Sequence, residues 1–190
     1  MADKASRLSR PESEKTISFV TIECLNLWAN FSRAYFLSCT LSPIRKNGLQ
    51  ITLSNPNVQT FDDAIYAALK KCKPYILDRG KWGRRDEPAW HDPKVLINSC
   101  IEIGCSNLTD IQAAFSISTK MFEHLATFRN FYAHRNDYTV QKAKNIARYY
   151  TILVHNHPSK ILFSYAYGRP QILILDWIDD LKIVLELLCK

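Results

Sequence analysis

The chain has 190 residues, 47% of them hydrophobic, and a formal net charge of +7. That length suits a single domain with an ordinary core. No stretch reaches the roughly 18 consecutive apolar residues of a membrane helix, and no apolar segment follows the charged N-terminus, so neither a membrane span nor a secretory signal is expected and the compartment implied is the cytoplasm.

Six cysteines stand at 24, 39, 72, 100, 105 and 189, with no Cys-x-x-Cys pair and no zinc-type spacing. They read as reduced thiols, mostly buried as small apolar groups. The five glycines form no phosphate-cradling loop, which excludes a P-loop nucleotide hydrolase.

Residues 1–13 are polar and carry Pro11, so a disordered tail is predicted there, followed by one domain over 14–190. From Glu14 to Ser42 apolar residues recur at helical steps: Phe19, Ile22, Leu25, Leu27, Trp28, Phe31, Tyr35 and Phe36. Pro43 ends that helix. Residues 48–57 read as a loop or short extended piece. Thr60 caps a second helix, whose apolar side is Ile65, Ala68, Leu69 and Cys72, and Pro74 kinks or ends it. An irregular loop covers 78–92. Asp92-Pro93 then opens a helix that stops at Gly104.

Asn107 or Thr109 caps a short helix through Phe115. Ser118 opens a longer one to Ala133, Asn136-Asp137 breaks it, and another follows from Thr139 to Val154. Residues 160–175 admit two readings, a β-hairpin about Gly168-Arg169-Pro170 or a buried loop. Asp176-x-x-Asp179 caps a terminal helix with Ile178, Leu181, Val184, Leu185 and Leu188 on one side. The fold class is therefore all-α in the main, a helical bundle with antiparallel neighbours.

The charge is concentrated. Between Lys70 and Arg85 lie Lys70, Lys71, Lys73, Arg79, Lys81, Arg84 and Arg85 against Asp78 alone, a net +6. Such a patch suits a polyanion, and Tyr75, Trp82 and Trp90 offer stacking faces beside it. A solvated loop that serves solubility is the other reading.

The most informative stretch is Phe128-Arg129-Asn130-Phe131-Tyr132-Ala133-His134-Arg135-Asn136. Histidine moves protons near neutral pH, and the arginine fork holds phosphate. With about 100° per residue and Met121 at 0°, Leu125, Phe128 and Tyr132 fall within about 40° of it, as a core stripe. By the same step Asn130 falls near ~180°, His134 near ~220° and Arg129 near ~80°. Asn130 and His134 thus point together, away from the core. Arg129 joins them only through its side-chain length or an unwound helix end.

The Arg129-Asn130-x-x-x-His134 run, near the end of an apolar helix in a helical and basic chain, resembles the Arg-polar-x-x-x-His signature of the HEPN (higher eukaryotes and prokaryotes nucleotide-binding) domains. The resemblance implies a HEPN-like bundle that pairs as a homodimer, with two copies of the motif meeting in the cleft. It implies metal-independent endoribonuclease chemistry, without cofactor, in a toxin or phage-defence effector controlled by an antitoxin or other regulatory protein. Arg129, Asn130 and His134 would be catalytic. Arg135, Arg33, Lys81, Arg84 and Arg85 would contact RNA. The alternatives are a non-catalytic HEPN-like module that binds RNA or protein, and a plain helical interaction protein.

Other groups carry blander readings. The Glu23, Asn26, Asn30 and Arg33 stripe reads as a solvated helix face with Glu23/Asn26 and Asn30/Arg33 pairs, Arg33 excepted if it borders the cleft. His155-Asn156-His157 reads as a loop pair without metal. His91 and His124 are lone histidines, His124 at the surface or half-buried.

Overall fold

The computed structural model describes residues 10–77, 81–116, 120–153 and 157–190. Among them are nine α-helices: α1 Arg10–Ser38, α2 Phe61–Cys72, α3 Pro74–Leu77, α4 Pro93–Ile103, α5 Leu108–Ser116, α6 Lys120–Ala133, α7 Asp137–Tyr149, α8 Ser159–Leu162 and α9 Leu173–Leu188. Strand content among the described residues is limited to isolated bridges. The fold is all-α, and no described helix is long and apolar enough to cross a membrane. The chain divides into two compact units, residues 1–26 with 120–182, and residues 27–119 with 183–190.

Helix α1 begins at Arg10, ahead of the expected start at Glu14. Pro11 is tolerated in a first turn because that turn's N–H groups have no helical acceptor, and Glu12 complements the helix dipole there. The buried side of α1 also differs from the reading above. It runs Ile17, Thr21, Leu25, Trp28, Ser32 and Phe36, at four- and three-residue steps, whereas Phe19 and Leu27 are more than half exposed. Thr21 is accommodated because its hydroxyl donates to the Ile17 carbonyl at 2.7 Å. The helix closes in a 3₁₀ turn, Cys39–Leu41, just before Pro43.

In the unit containing residues 27–119, local signals set the elements. Thr60 and Asp63 form a reciprocal capping box at the start of α2, with Asp63 N–H donating to Thr60 Oγ1 at 3.2 Å and Thr60 N–H to Asp63 Oδ2 at 2.9 Å. Asp92 Oδ1 accepts from the Lys94 N–H at 2.9 Å, with Pro93 at the first helical position of α4. Helix α4 ends on Gly104 at φ 68°, and the N–H groups of Gly104 and Cys105 return to the carbonyls of Ile101 and Cys100. That Schellman ending brings Cys100 and Cys105 side by side. In this group of thiols Cys100 and Cys105 draw Cys39 down, while Cys105 first, then Cys39 and burial, push Cys100 up. All three cysteines are buried, Cys24 and Cys72 are half-buried, and Cys189 is exposed.

The core of this unit is aromatic. Trp28 packs edge-on against Phe115 and donates its indole N–H to the His91 carbonyl at 3.0 Å. Trp90 lies 5.1 Å from Phe36 between ring centres.

In the unit containing residues 120–182, α6 and α7 pack together across the short connection at His134-Arg135-Asn136. Asn136 does more than break the helix. Its Oδ1 accepts from the Thr139 N–H at 3.0 Å, which caps α7 two residues ahead of the expected start. The expected start of α6 at Ser118 lies outside the described residues, whereas α7 ends at Tyr149, short of the expected Val154, with Thr151 at φ 54° just beyond it. The 160–175 stretch forms no hairpin. It contains the short α8, one antiparallel bridge between Tyr165 and Ile172, and a turn with Gly168 at φ 73°. Helix α9 starts at Leu173 and not at Asp176, because Leu173, Ile174 and Trp177 share a buried side with Leu181. Asp176 therefore sits inside the first turn, buried, and not at a cap.

Gly104 has a positive φ, and a Cβ there would run into Ser54 Oγ. Gly104→Ala is expected to destabilise the protein by more than about 1 kcal/mol in urea unfolding, through left-handed strain plus that contact. Gly48→Ala, also at positive φ but with open space around it, should cost less.

Candidate RNA-processing site

Six side chains fix the rotation of α6 about its axis. Met121, Phe122, Leu125, Phe128, Phe131 and Tyr132 are all buried, and the Tyr132 hydroxyl donates to Ser159 Oγ at 3.0 Å. Burial pushes that phenol's pKa up. The stripe expected from the sequence is thus present and is widened by Phe122 and Phe131. Asn130 and His134 are exposed opposite it, and Arg129 and Ala133 are exposed on its flank.

The helical hydrogen bond from His134 N–H to the Asn130 carbonyl is intact at 2.9 Å, so the end of α6 is not unwound between them. Asn130 and His134 keep helical register and share one side. Arg129 comes to them by side-chain reach, its Nη1 donating to Asn130 Oδ1 at 3.3 Å. The next turn holds the histidine's backbone: Thr139 Oγ1 donates to the His134 carbonyl at 2.8 Å, and Asn136 N–H donates to it at 2.6 Å. The result is an outward-facing guanidinium, amide and imidazole on a backbone secured from both sides.

Arg135 faces differently. Its Nη1 pairs with Glu14 Oε1 at 3.0 Å, and His157 Nε2 lies 3.7 Å from the same oxygen. His157 also packs edge-on against Phe131. Arg135 is thereby tied to α1, although it stays more than half exposed. His155 and Asn156 lie outside the described residues.

The other basic residues belong to the second unit. Arg33 makes a two-pronged pair with Glu87, Nε to Oε2 at 2.6 Å and Nη2 to Oε1 at 2.8 Å, and not a pair with Asn30. Burial raises the Glu87 carboxyl, but hydrogen bonds from Arg33 and Trp90 outweigh it and hold the group below the usual carboxylate range. The Glu23/Asn26 pairing is present at 3.3 Å. Lys81, Arg84 and Arg85 are exposed, the last two within a 3₁₀ turn at Arg84–Asp86, while Asp78 and Arg79 lie outside the described residues. Lys73 is spent on backbone, donating to the Glu87 carbonyl at 2.6 Å. Trp90 is no stacking face: it is buried and its indole N–H donates to Glu87 at 2.9 Å. Tyr75 is exposed and Trp82 half-exposed.

His124 corrects the reading of a surface or half-buried group. It is 8% exposed, and its Nδ1 lies 2.9 Å from the Tyr150 hydroxyl, which accepts from the Trp177 indole at 2.9 Å. The indole can only donate, so the phenol oxygen accepts from Trp177 and keeps its own hydrogen. Burial lowers the His124 pKa to about 4.

A second feature was not legible as a site. An open groove of about 290 Å³ runs between α6 and α7, lined by Glu123, His124, Thr127, Lys142, Asn145, Ile146 and Tyr149. Its sequence signal is the spacing Tyr138, Lys142, Asn145, Tyr149, which places four exposed side chains within an arc of about 60° on one side of α7.

Comparison of the chain with known protein families, with curated proteins and with solved structures finds no match. The assignment of function therefore rests on the residues themselves.

Because His124 stays neutral in the fold but takes a proton in the unfolded chain below about pH 6.5, its stabilising contribution is full above that pH and declines as pH falls toward about 4. Thermal unfolding should drop across that window, and the drop should be smaller in His124→Gln. Parallel profiles for the two proteins would show that another group controls acid stability.

Proposed function

We propose that the protein is a metal-independent endoribonuclease of HEPN type, active as a homodimer. The observation that carries this reading is the outward-facing Arg129, Asn130 and His134, with Asn130 and His134 opposite six buried side chains and Arg129 hydrogen-bonded to Asn130. None of the three serves the core. Together they offer a proton-transfer group and a phosphate-binding fork at one exposed place.

In this mechanism the RNA 2′-hydroxyl attacks the adjacent phosphorus. The 2′-oxygen to phosphorus bond forms as the phosphorus to 5′-oxygen bond breaks. A 2′,3′-cyclic phosphate and a 5′-hydroxyl result. His134 takes the 2′ proton or gives one to the departing 5′-oxygen. Arg129 neutralises the charge that builds on the phosphoryl oxygens. Asn130 orients the guanidinium through the hydrogen bond it already accepts from it. A surface motif of this kind is open to a second copy, which would enclose the phosphate and add a second histidine, one as base and one as acid. Lys81, Arg84 and Arg85 supply exposed positive charge for the RNA backbone. Arg33 and Arg135 contribute to RNA only with a carboxylate already at hand. An unrestrained ribonuclease harms the cell that makes it, so a toxin or defence role with a restraining partner follows from the same reading.

Purified wild type should cleave single-stranded RNA with and without a chelator. Arg129→Ala and His134→Ala should each lower the rate by about 10²-fold or more while circular dichroism is unchanged, since both positions are exposed. Cleavage that survives His134→Ala would reject the assignment.

A further inference from the structure

The stretch from Tyr138 to Leu175 holds five basic residues, Lys142, Lys144, Arg148, Lys160 and Arg169, and no aspartate or glutamate. Exposed tyrosines stand among them at 138, 149, 165 and 167. Aromatic rings in a positive surface are the composition that holds single-stranded nucleic acid, through stacked bases and paired phosphates.

The fold gathers part of this stretch into one place. The Tyr167 N–H donates to the Tyr150 carbonyl at 3.1 Å, which fastens the turn after α8 to the C-terminal end of α7. The Tyr165–Ile172 bridge and the bond from Leu173 N–H to the Ser164 carbonyl at 2.9 Å close that turn. Within it Ala166 is 5% exposed, between Tyr165 at 64% and Tyr167 at 86%. This alternation sets both tyrosines on the outer side of the chain, about 7 Å apart along an extended backbone. Neither ring has an aromatic partner, and neither hydroxyl a hydrogen bond, among the described residues. Tyr149 differs: His124 and Tyr150 engage its ring, so it borders this surface and does not carry it.

Arg169 belongs to the same turn, its N–H bonded to the Ala166 carbonyl at 3.0 Å. Its side chain is exposed and makes no ion pair among the described residues. The carboxylates of α9 near the turn are mostly occupied. Asp176 is buried, and Asp179 accepts from Gln171 at 2.8 Å and from Lys182 at 2.9 Å. Burial is the main force that raises the Tyr150 phenol's pKa; Asp180 adds to it and Arg169 opposes it, so both charges stand near that end of α7.

We propose that Tyr165, Tyr167 and Arg169 form a holding surface for single-stranded RNA, with bases stacked on the two rings and a phosphate on the arginine. The surface is distinct from the cleavage motif. Helix α7 has 13 residues, about 20 Å of length, and the motif lies at its start while this turn is fastened to its end. The choice of RNA as the strand rests on the ribonuclease reading above; the stacking and the charge do not. A duplex keeps its bases stacked on one another and offers the rings nothing. A polyanion without bases would use Arg169 alone.

The test reads binding by anisotropy on the full chain carrying His134→Ala, so that bound RNA stays uncut. The probes are labelled oligouridylate and a labelled RNA duplex of the same length. Tyr165→Ala and Tyr167→Ala should each weaken oligouridylate binding about tenfold. Tyr167→Phe should restore it, because stacking needs the ring and not the hydroxyl. Arg169→Ala should flatten the slope of log affinity against log salt by about 0.7. The duplex should bind more weakly than the single strand and lose nothing from the tyrosine substitutions. All three side chains are exposed, and circular dichroism checks that each variant is folded. Oligouridylate binding that is unmoved by both tyrosine substitutions rejects the surface, and so does a Tyr167→Phe variant as weak as Tyr167→Ala. A loss in Arg169→Ala alone would mark a polyanion site and overturn the proposal in the same way. Cleavage by wild type separates the two readings. Cutting with tyrosine-independent binding removes the surface and leaves the ribonuclease, and tyrosine-dependent binding without cutting does the reverse. A chain that neither binds nor cuts RNA removes both.

Discussion

The rotation of α6 about its own axis is the constraint from which the rest follows. Burying a large apolar side chain is worth about 1.5–3 kcal/mol, and six such groups line one side of this helix. Turning α6 by a single residue step, about 100°, would carry part of that set into water. No interaction available to exposed Asn130 or His134 offsets such a loss. The core therefore dictates that the polar pair faces outward, whatever lies there to meet it. The Asn136–Thr139 cap and the bonds from Thr139 and Asn136 to the His134 carbonyl then turn the chain out of α6, which ends at Ala133, and into α7.

That constraint separates the basic residues by role. Arg33 and Arg135 are held by carboxylates, Glu87 and Glu14, and Lys73 is held by backbone carbonyls. Each secures one element against another within its unit. Arg129, Lys81, Arg84 and Arg85 are exposed and make no ion pair among the described residues. The exposed surfaces of α6 and α7 also carry an aromatic ring at Tyr149 and a carboxylate at Glu123.

Periodicity made some of this legible and misled elsewhere. The α6 stripe was readable because Met121, Leu125, Phe128 and Tyr132 are all large and recur at helical steps. The caps at Thr60 and Asp92 and the stop at Gly104 were readable because each is a local bond or a local φ. Helix α1 misled because its buried side includes Thr21 and Ser32, while Phe19 and Leu27 stand in solvent. Size and apolarity pointed to one side, and packing took another. His124 was hidden for a different reason: its partners, Tyr150 and Trp177, are 26 and 53 positions away, and only tertiary structure brings them together. The same holds for the pair of Glu87 with Arg33, 54 positions away, while its other partner Trp90 is local. In 160–175 the apolar runs fitted a hairpin or a buried loop equally well, and burial of Leu173 and Ile174 instead drew the end of that stretch into the terminal helix.

The central claim is that a motif facing away from its own core is completed by a second copy of the chain. Subunit mixing tests this most directly. Wild-type protein is diluted into increasing amounts of His134→Ala under conditions where copies exchange, and RNA cleavage is measured per wild-type chain. If the site is composed of two copies, the rate per wild-type chain falls as inactive partners replace active ones. A rate per wild-type chain that stays constant through the dilution would contradict the account, because each copy would then be cutting RNA on its own.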